Sequence, residues 1–181
     1  MTWTLASSGT TSSLIIGAPT TLVTDSVDNG TFVFEIDTSA LSLGDLLRVQ
    51  INTITLSGGS PIQAWEAFFQ HTQASNHKIS PPIASDQEIQ VILTQIAGTI
   101  NISSLTGTVS SGVVGTGQSS GATGVMYAST GTLSGTTAQV SMLSGVYTSG
   151  ETVWCTTSAN DFVVNGSPAG GRTFPWKLLR V

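Results

Sequence analysis

The chain has 181 residues, with five basic and ten acidic side chains and a formal net charge of -5. Charged residues make up only 8% and hydrophobic ones 39%, which excludes the high-charge, low-hydropathy composition of a disordered chain and the basic stripe of a nucleic-acid binder. Its single cysteine, Cys155, excludes an internal disulfide and a cysteine-cluster metal site and reads as a small buried apolar residue.

In chain order, the opening "MTWTLASSGTTSS" lacks a basic n-region and a sustained apolar run, so it is not read as a signal peptide. Asp25, Asp28 and Asn29 read as turn residues ahead of the next strand. "TFVFEID" alternates, with Phe32, Phe34 and Ile36 on one face and Val33 and Glu35 on the other. "SLGD" supplies a turn in which Gly44 is free to take positive φ. "DLLRVQINTITL" then alternates again, with Leu47, Val49, Ile51 and Thr53 on the apolar face. "LSGGSP" at 56–61 is the next turn. "PIQAWEAFFQHTQAS" fits either a helix with Trp65, Phe68, Phe69 and Thr72 together or a strand, and its neighbours favour the strand. Pro81 and Pro82 cannot donate to a ladder and mark an edge or a crossing loop. "QEIQVILTQIAG" at 87–98 is a further strand with Ile89, Val91, Leu93 and Gln95 on one face.

The composition then changes. Residues 101–170 hold no basic residue and only Glu151 and Asp161 as acids, and Gly, Ser and Thr fill more than half of the positions. Short β runs such as "ATGVMYAS", "GTTAQVSML" and "DFVVN" alternate with glycine turns. "SSGVVGTGQSSGATG" is the weakest of these stretches. Residues 171–181 return to the basic and aromatic chemistry of residues 1–100, and Phe174, Trp176 and Leu178 fall on one strand face. Gly98 and Gly170–Gly171 bracket the middle segment like the two sides of a hairpin tip, where insertions are tolerated. The expected fold is therefore all-β: an antiparallel β-sandwich or jelly-roll-like base domain from 1–100 plus 171–181, with a small Gly/Ser/Thr-rich β module at 101–170 inserted in its last hairpin, so that 88–97 and 172–180 pair antiparallel.

The residues offer no catalytic set, cofactor motif or metal cluster. His71 and His77 lie six apart with no acid or cysteine at a metal-ligand offset and read as surface residues. "GTGQSSG" lacks the Lys-Ser/Thr ending of a phosphate loop. Asp37 and Asp45 flank a turn and read as capping carboxylates rather than calcium ligands. No apolar run approaches the length of about 18 residues that marks a membrane helix. The expectation is a protein that is not an enzyme and that acts through shape and backbone pairing.

The order "NGTFVFEIDTSALSLGD", "LRVQINTITLSGG", "HKISPPI", "EIQVILTQIAGT" and "GRTFPWKLLR" resembles a family of small tailed-bacteriophage virion structural proteins. In that family the equivalent of "TQIAGT" runs almost directly into "GRTFPW"; here the middle segment intervenes. The resemblance implies a virion component made in the host cytoplasm. The first reading is a capsid decoration (cement) protein on the head exterior, with the major capsid protein and copies of itself, as a homotrimer, for partners. Its candidate contact residues are an arm at 2–13 with Trp3, the aromatics Trp65, Phe68 and Phe69, and the loop residues His77, Lys78, Pro81 and Pro82. The alternative is a tail, collar or fibre-associated module whose insert binds a host glycan by stacking on Trp154 and Tyr147; filling the module's core is the competing role for both rings.

Overall fold

A computed structural model describes residues 2–26, 29–54 and 56–181; Asp28 lies outside them. The described residues form strands and turns and no helix. In chain order the strands are β1 (Thr4–Thr10), β2 (Pro19–Asp25), β3 (Gly30–Asp37), β4 (Leu46–Ile54), β5 (Ile62–Gln70), β6 (His77–Ile79), β7 (Ile83–Ser85) and β8 (Glu88–Thr106). They continue with β9 (Val114–Gly117), β10 (Thr123–Tyr127), β11 (Thr137–Ser144), β12 (Thr152–Cys155), β13 (Thr157–Val164) and β14 (Pro175–Arg180). All pairings are antiparallel.

Two sheets face each other across one apolar layer. The smaller has the order β1-β14-β3-β6, with β7 also on β3. The facing part of the larger sheet has β8 between β4 and β2, and β5 outside β4. The alternation read from sequence places the inward side chains. Phe32, Phe34, Ile36 and Leu178 come from the small sheet and Phe174 from the residue just before β14; Leu47, Val49, Ile51, Ile89, Val91 and Leu93 come from the other sheet. Trp176 packs at the rim of this layer, its ring centroid 6.3 Å from that of Phe34.

β8 is 19 residues long and leaves this layer without a break. From Ala97 onward it exchanges partners, pairing with β11 on one side and with β13 beyond it. The pairings β8-β11-β10-β9-β12-β13 then return to β8, which closes a six-stranded barrel. The barrel has its own core, including Ile100, Ile102, Met126, Val140, Val153 and Phe162. A barrel this narrow has space for few large side chains. Gly115 and Gly124 face inward, and a Cβ on Gly124 would stand 2.7 Å from Val140 and 3.1 Å from the Tyr147 hydroxyl. The freed space holds the Tyr147 ring, whose hydroxyl donates to the Gly115 carbonyl at 2.8 Å. Cys155 is fully buried in the same core, and burial pushes its thiol up to about 11, with Asp161 adding to the shift. It is therefore a packing residue and not a thiolate at neutral pH. "SSGVVGTGQSSGATG" contributes the barrel strand β9 and the tight turn into β10.

The predicted pairing of 88–97 with 172–180 does not occur. β14 lies between β1 and β3 in the small sheet, while residues 88–97 lie between β4 and β2 in the facing one. Both edges of that part of β8 are already taken, so the returning strand crosses the apolar layer instead of extending the same sheet. The barrel therefore stands in a crossing connection and not at the tip of a hairpin.

A compact junction joins the two cores. Leu14 belongs to the apolar layer and Ile16 to the barrel core. The backbone between them clasps residues 168–170 through Ile16 N–H to Pro168 and Gly170 N–H to Leu14. Gln95, fully buried, fills the centre, and Gly98 and Gly170 both approach its side chain too closely to carry a Cβ. Asp45 accepts from Arg172 Nε at 2.9 Å and from the Ser42 N–H at 2.8 Å, so it caps its turn and ties β14's approach to it.

Candidate partner-binding surfaces

The residues singled out for partner contact fall on two separate parts of the base. Seven of them gather along one edge. β5 is the outer strand of the large sheet, and β6 is the outer strand of the small one. Lys78 Nζ stands 5.6 Å from the centroid of the Phe69 ring, which links the two edges. Pro81 and Pro82 are exposed in the link between β6 and β7.

Not all of the seven point outward. Trp65 and Phe69 are half-buried against the apolar layer, whereas Phe68, on the opposite face of β5, is 51% exposed. The expectation of an exposed aromatic run from Trp65 to Phe69 is corrected accordingly. Both faces of β5 carry aromatic side chains, so period-two alternation could not say which face was inward.

His77 has an internal partner as well. Its Nε2 lies 2.8 Å from Glu35 Oε2, and Lys177 Nζ lies 2.8 Å from the same oxygen. Burial alone would raise the Glu35 carboxyl, but Lys177 and His77 together hold it below its ordinary value. This triad lies on the outer face of the small sheet. Asp37 meanwhile accepts from the Ser39 N–H at 2.8 Å, as a turn-capping carboxylate.

Trp3 stands apart from the other seven, and the free arm expected at 2–13 is replaced by an edge strand. Thr4–Thr10 forms β1, paired with β14 from Thr4↔Arg180 to Thr10↔Pro175. Gly9 lies against the Trp176 ring, so a side chain there would collide with it. Thr4 also donates from Oγ1 to the Arg180 carbonyl at 3.0 Å.

The registers place Trp3 at a definite end of the base. β1 begins beside Arg180, which pairs with Phe32 near the start of β3. The two sheets are joined at this end by Gln87 N–H to Ile54 and Asn29 N–H to Asp86. The barrel leaves from the other end, where Leu46 pairs with both Gln70 and Ala97. The barrel-distal end carries Trp3, Leu5, Leu56 and Ile62, which are 42%, 61%, 74% and 60% exposed. Sequence reasoning named Trp3 and covered Leu5 within the arm at 2–13, but did not single out Leu56 or Ile62. Leu56 and Ile62 flank a glycine turn and carry no local sign of exposure.

On the barrel, Tyr147 is 2% exposed and is a core residue, so it cannot stack on a ligand. Trp154, on the outer side of β12, is 43% exposed. Among the described residues no group of three or more His, Cys, Asp or Glu side chains is placed to hold a metal ion. No family model, curated protein or solved structure matches the chain.

Proposed function

We propose that the chain is a non-enzymatic structural protein of a tailed-bacteriophage virion, a cement protein on the exterior of the head. In this reading its partners are the major capsid protein and, in a homotrimer, copies of itself. In this reading the base is a jelly roll, a reading supported by the strand order: β1-β14-β3-β6/β7 faces β2-β8-β4-β5, and apart from the β4–β5 hairpin and the short β6–β7 link, successive base strands cross between the sheets. Eight-stranded rolls are shared by viral capsid and lectin domains, and with β6 and β7 together occupying one strand position the order is compatible with the reading.

The observation that carries the proposal is the apolar character of the barrel-distal end of the base. Exposed apolar side chains, Trp3, Leu5, Leu56 and Ile62, sit at the end opposite the barrel. That end docks, the β6–β7 link with Pro81 and Pro82 flanks the contact, and the barrel projects. The cement action is mass action: a protein that binds the assembled shell and not its separated subunits shifts the equilibrium toward the intact shell.

A second reading, a tail or fibre module that holds a host glycan, is favoured by Trp154 alone, since Tyr147 is unavailable. Copy number separates the two. Densitometry of particle proteins is expected to give a band whose stoichiometry scales with the major capsid protein. A band at the level of tail proteins would overturn the head assignment.

A further inference from the structure

A cleft of about 710 Å3 lies between the base and the barrel, within the range of about 300–1,000 Å3 typical of small-molecule sites. One wall is the turn before β4, with Leu43 and Gly44, and His71 just after β5. The other is the barrel hairpin of β10 and β11 with the loop between them.

The chemistry of its lining is narrow. There is no Lys, Arg or Glu in it, and its one carboxylate, Asp45, is 1% exposed and occupied by Arg172 and the Ser42 N–H. A charged ligand would lose its hydration and gain no counter-charge. The hydroxyls of Ser129, Thr132, Ser134, Thr137 and Ser141 line the cleft and have no protein partner among the described residues. A purely apolar ligand would strip water from these groups and replace none of their bonds. Tyr127 supplies a 47% exposed ring in the same wall, and Leu43 on the facing wall is 84% exposed.

His71 adds a directed donor. The Gly44 N–H donates to its Nδ1 at 2.8 Å, so the neutral ring carries its proton on Nε2. Its backbone is in the left-handed region at φ 55°, held by its own N–H donating to the Asp45 carbonyl. Such a conformation is uncommon for a residue with a side chain, and conformations of this kind cluster at binding sites. Gln139 fixes the two walls together, donating to the Gly44 carbonyl at 2.7 Å and accepting from Thr99 at 2.8 Å.

We propose that this cleft binds an uncharged oligosaccharide, with a sugar ring stacked on Tyr127 and its hydroxyls held by the Ser/Thr wall and His71 Nε2. A neutral sugar is the ligand class that combines many hydroxyls with an apolar C–H face and needs no counter-ion. The assignment does not depend on whether the protein sits on the head or the tail.

The test applies the full-length protein to an array of neutral hexose and N-acetylhexosamine oligosaccharides beside their sulfated and sialylated counterparts. The best-retained glycan is then titrated against variants. Neutral glycans are expected to be retained, with Tyr127→Ala and Thr137→Arg each weakening binding by about tenfold or more, and Trp154→Ala leaving it unchanged. Thr137 is exposed at a strand start, so its variant remains informative should Tyr127→Ala unfold. Retention of no neutral glycan, preference for the acidic counterparts, loss of binding on Trp154→Ala, or binding unaffected by Thr137→Arg would overturn the assignment.

Discussion

Glu151 is the most heavily hydrogen-bonded carboxylate of the barrel, and it is 4% exposed. It accepts from the N–H groups of Ser119 and Ser120 at 3.2 and 3.0 Å, from the Ser120 hydroxyl and from the Thr148 N–H, and so pins the turn after β9 to the turn before β12. Burial alone would raise its pKa, but these donors hold it below the ordinary carboxylate value of 4.5. A depressed folded-state pKa contributes stability that is present above the unfolded value and is lost as pH falls through the folded one. Glu151→Gln is expected to cost about 2–3 kcal/mol at neutral pH and to flatten the acid limb of a plot of melting temperature against pH below about 4.5. Glu35 titrates in the same direction with Lys177 and His77, so part of that limb remains. A variant whose pH profile runs parallel to that of the parent would contradict this role. In sequence Glu151 is one of two acids in a neutral tract and nothing local marks its role, because the four donors come together only through folding.

Strand faces were legible for a simple reason: period-two alternation assigns a face without knowledge of the partner. Phe32–Ile36, Leu47–Thr53, Ile89–Gln95 and Phe174–Leu178 all present the expected side chains inward. Sheet membership was not legible, because the apolar face of β14 fits either side of the same layer. Nor was the end of β8. The break in composition near residue 100 falls inside a continuous strand that swaps partners at Ala97 without any turn. Where the chain leaves and re-enters the base is nonetheless compact, since Gly98 and Gly170 both touch the Gln95 side chain. Deleting 100–169 and joining Thr99 to Gly170, with Ile16→Thr to cover the face bared by loss of the barrel, is therefore expected to leave a base that melts cooperatively. Loss of the cooperative transition by circular dichroism would mean that the apolar layer depends on the barrel.

At the scale of the whole molecule, the two cores meet at one end of the base, and Trp3, Leu5, Leu56 and Ile62 are exposed at the other. The single clasp of residues 14–16 with 168–170, the Arg172–Asp45 pair and the Gln139 bridge all act at the barrel end. Changes at the distal end should therefore alter docking without disturbing the junction. The most direct measurement of the central claim is co-sedimentation of the protein with heads stripped of it, comparing the parent chain with Trp3→Ala/Leu56→Asp/Ile62→Asp. The account predicts saturable binding by the parent, unchanged melting of the variant, and affinity reduced by about tenfold or more. Equal binding by a folded variant, or no binding by the parent, would contradict it.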